Sequence, residues 1–142
     1  AISRGRKSEE ERGKGGAGRE RSPRGELDAQ IAALLKQAAM PNGKLLAMSG
    51  ASGAHTATIA EKAALDANPA IAARGFSTLT GHMKEAQFPF AVALAALAVD
   101  RKAAYPVFDA AAEKPFEGVP ATVLATAIGY HQFEGMALVN AA

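Results

Sequence analysis

Lys44-Leu45-Leu46-Ala47-Met48, followed at once by Ser49-Gly50-Ala51-Ser52-Gly53, is a short apolar run cut off by turn residues. That pattern predicts a buried strand rather than a helix. Upstream, Leu27, Ile31, Leu34, Leu35 and Ala38 recur at spacings of three and four, the mark of one apolar helical face. Ser22-Pro23 suits the start of that helix and Asn42-Gly43 its end. Downstream, the sequence predicts a helix over Thr56 to Ala67 closed by Asn68-Pro69, then a strand over Gly75 to Leu79. Gly81-His82 opens a long helix reaching about Arg101, with Pro89 either kinking it or marking its true start. Tyr105 to Asp109 reads as extended, and Pro115, Gly118 and Pro120 keep the next stretch irregular. Two β-leaning runs close the chain, Ala121 to Ile128 and Gly135 to Asn140, separated by a loop containing His131 and Glu134. Strand and helix alternate and then a strand pair ends the series. This order predicts an α/β layer, a mixed and mostly parallel sheet of about five strands covered by helices, with its last strand antiparallel.

Composition limits where the core lies. From Ser3 to Gly25 the chain carries almost no apolar side chain, so ordering that stretch would not bury enough surface to offset its entropy. Residues 1–25 are therefore expected to be a strand remnant followed by a polar flexible loop, and 26–142 the folded layer. The stretch holds Arg4, Arg6, Lys7, Arg12, Lys14, Arg19, Arg21 and Arg24, half of the 16 Lys and Arg, interleaved with Glu9, Glu10, Glu11 and Glu20. It reads as a solvated mixed-charge loop. No aromatic side chain is interleaved for base stacking, so no nucleic-acid partner is expected. The chain has no cysteine, which removes disulfides, thiolate metal sites and a cysteine nucleophile. Its longest apolar run, Phe88 to Val99, falls short of the ~20 residues a membrane span needs. With no apolar signal-peptide region at the N-terminus either, the expectation is a cytoplasmic protein without a membrane span. Ala1 in place of a methionine fits both methionine removal and a chain that begins inside a longer protein.

Few side chains offer chemistry. The three histidines, His55, His82 and His131, stand in no metal-ligand spacing, so neither a metal nor another cofactor is expected. Ser49-Gly50-Ala51-Ser52-Gly53 follows a strand but lacks the lysine and glycine spacing of a phosphate-binding loop, and it reads as a strand-to-helix turn. His82 says more. It follows Gly81 between a strand end and a helix start, where loop residues of α/β layers reach the ligand crevice. A neutral imidazole there suits hydrogen-bond donation to a developing oxyanion; capping the helix is its plainer role.

The run Phe76-Ser77-Thr78-Leu79-Thr80-Gly81-His82, followed by an alanine-rich helix, resembles the Thr-Gly-His segment of β-ketoacyl-acyl carrier protein synthases, which are condensing enzymes of the thiolase fold. Ala125-Thr126-Ala127-Ile128-Gly129-Tyr130, then Gly135-Met136-Ala137-Leu138-Val139, is similar to that family's Gly-Phe loop and last strand. Ala60-Glu61 matches an Ala-Glu pair of the same enzymes. The likeness runs from about Glu26 to Ala142, the family's C-terminal half, and makes Ala1-Ile2 the remnant of that half's first strand.

The resemblance implies a catalytic role for His82 as the family's second histidine, stabilising the enolate formed on malonyl decarboxylation. Tyr130, His131 and Phe133 then fall on the gating loop of the acyl pocket. It also implies a degenerate site. The family's first histidine falls at Gly50 and its lysine at Ser77, and the Gly-Phe-Gly-Gly loop reads Gly129-Tyr130-His131-Gln132. The nucleophilic cysteine belongs to the family's other half. His55 and His131 are the only imidazoles left to replace the first histidine. Expected partners are an acyl carrier protein and either the N-terminal half of the same protein or a condensing-enzyme partner subunit. The chain alone is expected to be inactive, in the manner of chain-length-factor partners. The alternative is a non-catalytic α/β binding or interaction module, in which His82 only caps a helix.

Overall fold

The central strand forms one residue later than the sequence places it: β1 spans Leu45–Ser49, and all its side chains are buried. A parallel strand covered on both faces requires this. The computed structural model describes residues 24–38, 40, 43–51, 56–128 and 134–141. Around β1 lie α1 (Arg24–Gln37), α2 (Thr56–Asp66), β2 (Ile71–Gly75), the single turn α3 (Ser77–Thr80), α4 (Gln87–Arg101), β3 (Thr122–Ile128) and β4 (Glu134–Asn140). The sheet order is β2-β1-β3-β4. Strand β1 runs parallel to β2 and β3, and β4 runs antiparallel to β3. The α/β character and the antiparallel last strand are as expected. Four strands, not about five, make up the sheet among the described residues, because the extended Tyr105 to Asp109 segment joins none of them.

Alternation along the strands sorts the core into two layers. Leu45, Ala47 and Leu124 pack with Leu27, Ile31, Leu35 and Leu65 beneath α1 and α2. Leu46, Met48 and Val123 pack with Phe76, Ala91, Ala95 and Ala98 beneath α4. Helix α1 buries the face its spacing marks, and it carries Glu26 in its first turn and Lys36 in its last, matching the helix dipole. It ends at Gln37, before the expected Asn42, while Gly43 takes a left-handed φ of 69°.

Two expectations shift. The strand expected over Gly75 to Leu79 lies at Ile71–Gly75. Asn68 turns the chain sharply, its side-chain oxygen accepting from Ala70 N at 3.0 Å and its carbonyl from Ile71 N at 3.0 Å, so pairing with β1 begins at once at Leu45↔Ile71. The apolar run beyond coils instead: Phe76 is buried edge-on against Phe90 with centroids 5.3 Å apart, and Leu79 is half exposed. The long helix also starts later than His82. Positive φ at Gly81 and Lys84 interrupts the backbone, and regular helix begins at Gln87. Pro89 thus sits in the first turn of α4, where a missing N–H forfeits no helical bond.

The connection from α4 to β3 holds to the end of β2 through Glu113 and Arg74. Glu113, buried, accepts from Gly75 N at 2.7 Å and from Phe108 N at 2.8 Å. Arg74, also buried, donates to the carbonyls of Tyr105, Ala73 and Lys114. One amide of that edge, Gly75 N–H, is thereby given an acceptor. No helix among the described residues is long and apolar enough to cross a membrane. Of the polar segment 1–25, residues 1–23 lie outside the described residues, and Arg24 and Gly25 already belong to α1.

Candidate functional site

Three strands point the same way, so Ser49, Gly75 and Ile128 end at one rim of the sheet, and Glu134 stands there too as the partner of Ile128. In open α/β sheets, this carboxyl-end rim is where ligands bind. The segment carrying His82 leaves the end of β2 through α3. Thr80 Oγ1 donates to Phe76 O at 3.2 Å and Gly81 O at 3.0 Å. Gly81 has φ 70° and ψ −177°, and no atom lies within 4 Å of where a Cβ would project. Backbone conformation rather than lack of space therefore demands glycine in the Thr-Gly-His turn. His82 is exposed, and its Nδ1 accepts from Lys84 N at 3.1 Å. With Nδ1 an acceptor, the neutral ring carries its proton on Nε2.

Gly50 and Ser77 meet beside this turn, joined by a residue that the sequence did not single out. Ser77 Oγ donates to Gly50 O at 2.6 Å, and Gln87 Nε2 donates to Gly50 O at 2.8 Å and to Ser77 Oγ. Gln87 Oε1 accepts from Met83 N at 2.9 Å. A Cβ on Gly50 would lie 2.6 Å from Gln87 Nε2 and 2.8 Å from its Cγ, so the glutamine fills the space of a side chain at position 50. Phe88 does the same at the other end of the rim, where a Cβ on Gly135 would lie 2.6 Å from its ring. The available signal was a glutamine opening an otherwise apolar helix.

On the opposite face of the sheet Glu61 is almost fully buried. Its Oε1 accepts from Ser49 Oγ at 2.7 Å and Thr126 Oγ1 at 2.6 Å, and its Oε2 from Ile128 N at 3.1 Å. Burial pushes this carboxyl above the ordinary carboxylate range, while the three hydrogen bonds pull against that shift. The sequence offered Glu61 only as half of an Ala-Glu pair; its signal is a charge on the face of α2 that also carries Thr58, Ala64 and Leu65 inward. Enclosed in this way, Glu61 pins α2 to the rim ends of β1 and β3 rather than facing a ligand.

His55, Tyr130, His131 and Phe133 lie outside the described residues. Among the described residues no His, Asp and Glu side chains gather into a group of three fit to hold a metal ion. Chemically, the described part of the rim holds one imidazole, and next to it a closed knot of amide, hydroxyl and carbonyl. Comparison with protein-family models, with curated proteins and with solved structures finds no match to this chain.

Proposed function

We propose that this chain is a β-ketoacyl-acyl carrier protein synthase-like layer, equivalent to the C-terminal half of a thiolase-fold condensing enzyme and inactive by itself. In this reading it serves acyl-chain synthesis as a non-nucleophilic partner. The N-terminal half of the same protein, or a paired condensing subunit, supplies the cysteine, and an acyl carrier protein delivers the chain. The observation that carries it is the setting of His82: a neutral imidazole with its proton on Nε2, the nitrogen turned away from the Lys84 contact, on a glycine-dependent turn at the carboxyl rim of a mostly parallel sheet. A donor of that kind suits the oxygen of an enolate, where negative charge develops during decarboxylation. Gly50 and Ser77 bring no imidazole or ammonium to help it, and the chain has no cysteine, in keeping with a partner that shapes the site rather than driving it.

The test uses malonyl-loaded acyl carrier protein. The chain alone should release no carbon dioxide above background. Mixed with a cysteine-bearing condensing half, it should bind and alter the length of the acyl product, and His82→Ala should lower product formation at least tenfold. Turnover by the chain alone that His82→Ala abolishes would overturn the assignment of an incomplete site. No association with either partner would leave the interaction-module reading in its place.

A further inference from the structure

We infer that Gln87 is the positioning residue of this rim: its amide takes the place of the side chain missing at position 50 and, through Met83, holds the turn that presents His82. The chemical meaning of that role rests on the condensing-enzyme reading; the contact itself does not. Three observations converge. The glutamine is buried at 6% exposure although it opens a helix at the rim of the sheet. Its side-chain hydrogen bonds among the described residues go to the site's own segments: Nε2 to Gly50 O after β1 and Ser77 Oγ of α3, and Oε1 to Met83 N next to His82. Its stem also stands where any larger residue at position 50 would have to go, since even a Cβ would come within 3.1 Å of Cγ, Cδ and Nε2. Glycine at position 50 and glutamine at position 87 therefore form one unit, and an imidazole restored at 50 alone would find its space taken.

The turn between Gly81 and Lys84 is also tied by Gly81 N–H to Ser77 O at 2.9 Å and Ala86 N–H to Met83 O at 3.0 Å, yet its backbone is strained. Both ends adopt positive φ, at 70° for Gly81 and 51° for Lys84, a conformation that a non-glycine residue keeps only when its surroundings impose it. The Met83 N–H to Gln87 bond supplies such a restraint, and the Lys84 N–H to His82 Nδ1 bond follows one residue later. Gln87 thus acts on the histidine's tautomer without touching the ring.

Nuclear magnetic resonance of the 15N-labelled full chain reads this directly. His82 ring nitrogens, assigned by difference against His82→Asn, should show a predominantly Nε2–H tautomer and a coupling to the Lys84 amide. In Gln87→Leu, which keeps bulk but no hydrogen bonds, the preference should fall about five- to tenfold, the equivalent of one hydrogen bond. Gly50→Ala, which pushes the amide aside, should do the same with residue 87 intact. Adding Gln87→Ala to Gly50→Ala should recover most of the lost melting temperature, because the methyl then has room, yet leave the His82 preference lost. Leu124→Ala, a destabilising change in the opposite layer, should leave the ring signals as in the wild type. The inference is overturned if Gln87→Leu and Gly50→Ala both keep the wild-type tautomer, or if Leu124→Ala moves it equally. Should Gln87→Leu fail to fold, the Gly50→Ala pair decides alone. Failure of the acyl chemistry would sink the functional reading and leave these spectra untouched.

Discussion

Replacing Glu61 with glutamine preserves volume and removes charge, which sets two opposing effects against each other at one buried point. Ser49 Oγ and Thr126 Oγ1 converge on Oε1 while Ile128 N–H reaches Oε2. An amide has a single oxygen. If that oxygen stays with the two hydroxyls, the Ile128 N–H faces an amide NH2 group and loses its acceptor, at a cost of about 1–3 kcal/mol for a buried donor. The opposing effect depends on pH. Burial raises Glu61 above its usual value of 4.5 in the folded chain, so the folded state holds the proton more tightly than the unfolded state. Its contribution to stability is therefore full below 4.5 and declines as pH rises from there toward the folded-state value. The limiting slope for one proton is roughly 1.4 kcal/mol per pH unit. Glutamine has no such dependence. Urea unfolding of both proteins, followed by circular dichroism from the acid side of 4.5 up to neutral pH, isolates this contribution in the difference between the two curves. The variant should be the less stable at the acid end, and the gap should narrow as pH rises. Parallel curves, or a gap that widens with pH, would refute the reasoning, because the first means that the hydrogen bonds balance the desolvation of the carboxylate and the second that they outweigh it.

Two other substitutions probe the layers around the rim. Tyr105 Oη is buried with no hydrogen-bond partner among the described residues, and desolvation, with the nearby Glu113 charge adding to it, pushes its ionisation up to about 12. Tyr105→Phe should be neutral or stabilising by up to about 1 kcal/mol. It should also remove the loss of stability that the wild type suffers as pH climbs from 10.0 to about 12, which melts on either side of 10.0 will show. Leu124 is fully buried on β3, on the face covered by α1 and α2. Leu124→Ala should cost about 2–5 kcal/mol in denaturant unfolding, and a smaller loss would mean that the sheet and α1 can collapse around the cavity.

The repeating elements were legible because each rests on a local rule. The three- and four-residue spacing of Leu27, Ile31 and Leu35 makes a helix with one buried face wherever that face finds cover. The uninterrupted apolar run of β1 declares a strand covered on both sides. The helix expected to open at Gly81-His82 is not of this kind: Gly81 closes the single turn α3 at φ 70°, and α4 begins only at Gln87. Where two local readings compete, the sequence has no means of choosing. Ile71 to Gly75 and Gly75 to Leu79 are both short stretches that mix apolar and polar residues. Pairing with Leu45 selects the first, and burial of Phe76 against α4 coils the second.

What only the tertiary structure decided is the fate of the buried polar groups. Glu61 finds Thr126 across 65 residues, Arg74 finds Lys114 across 40, and Gln87 finds Gly50 across 37. A glutamate, an arginine and a glutamine each look like surface residues in the chain, because charge and polarity alone favour water. They stay inside only because specific donors and acceptors converge on them in space and replace the hydrogen bonds water would have made. Periodicity along a chain records which face of an element is apolar, but it carries no record of which distant atom will stand opposite a buried amide or carboxylate.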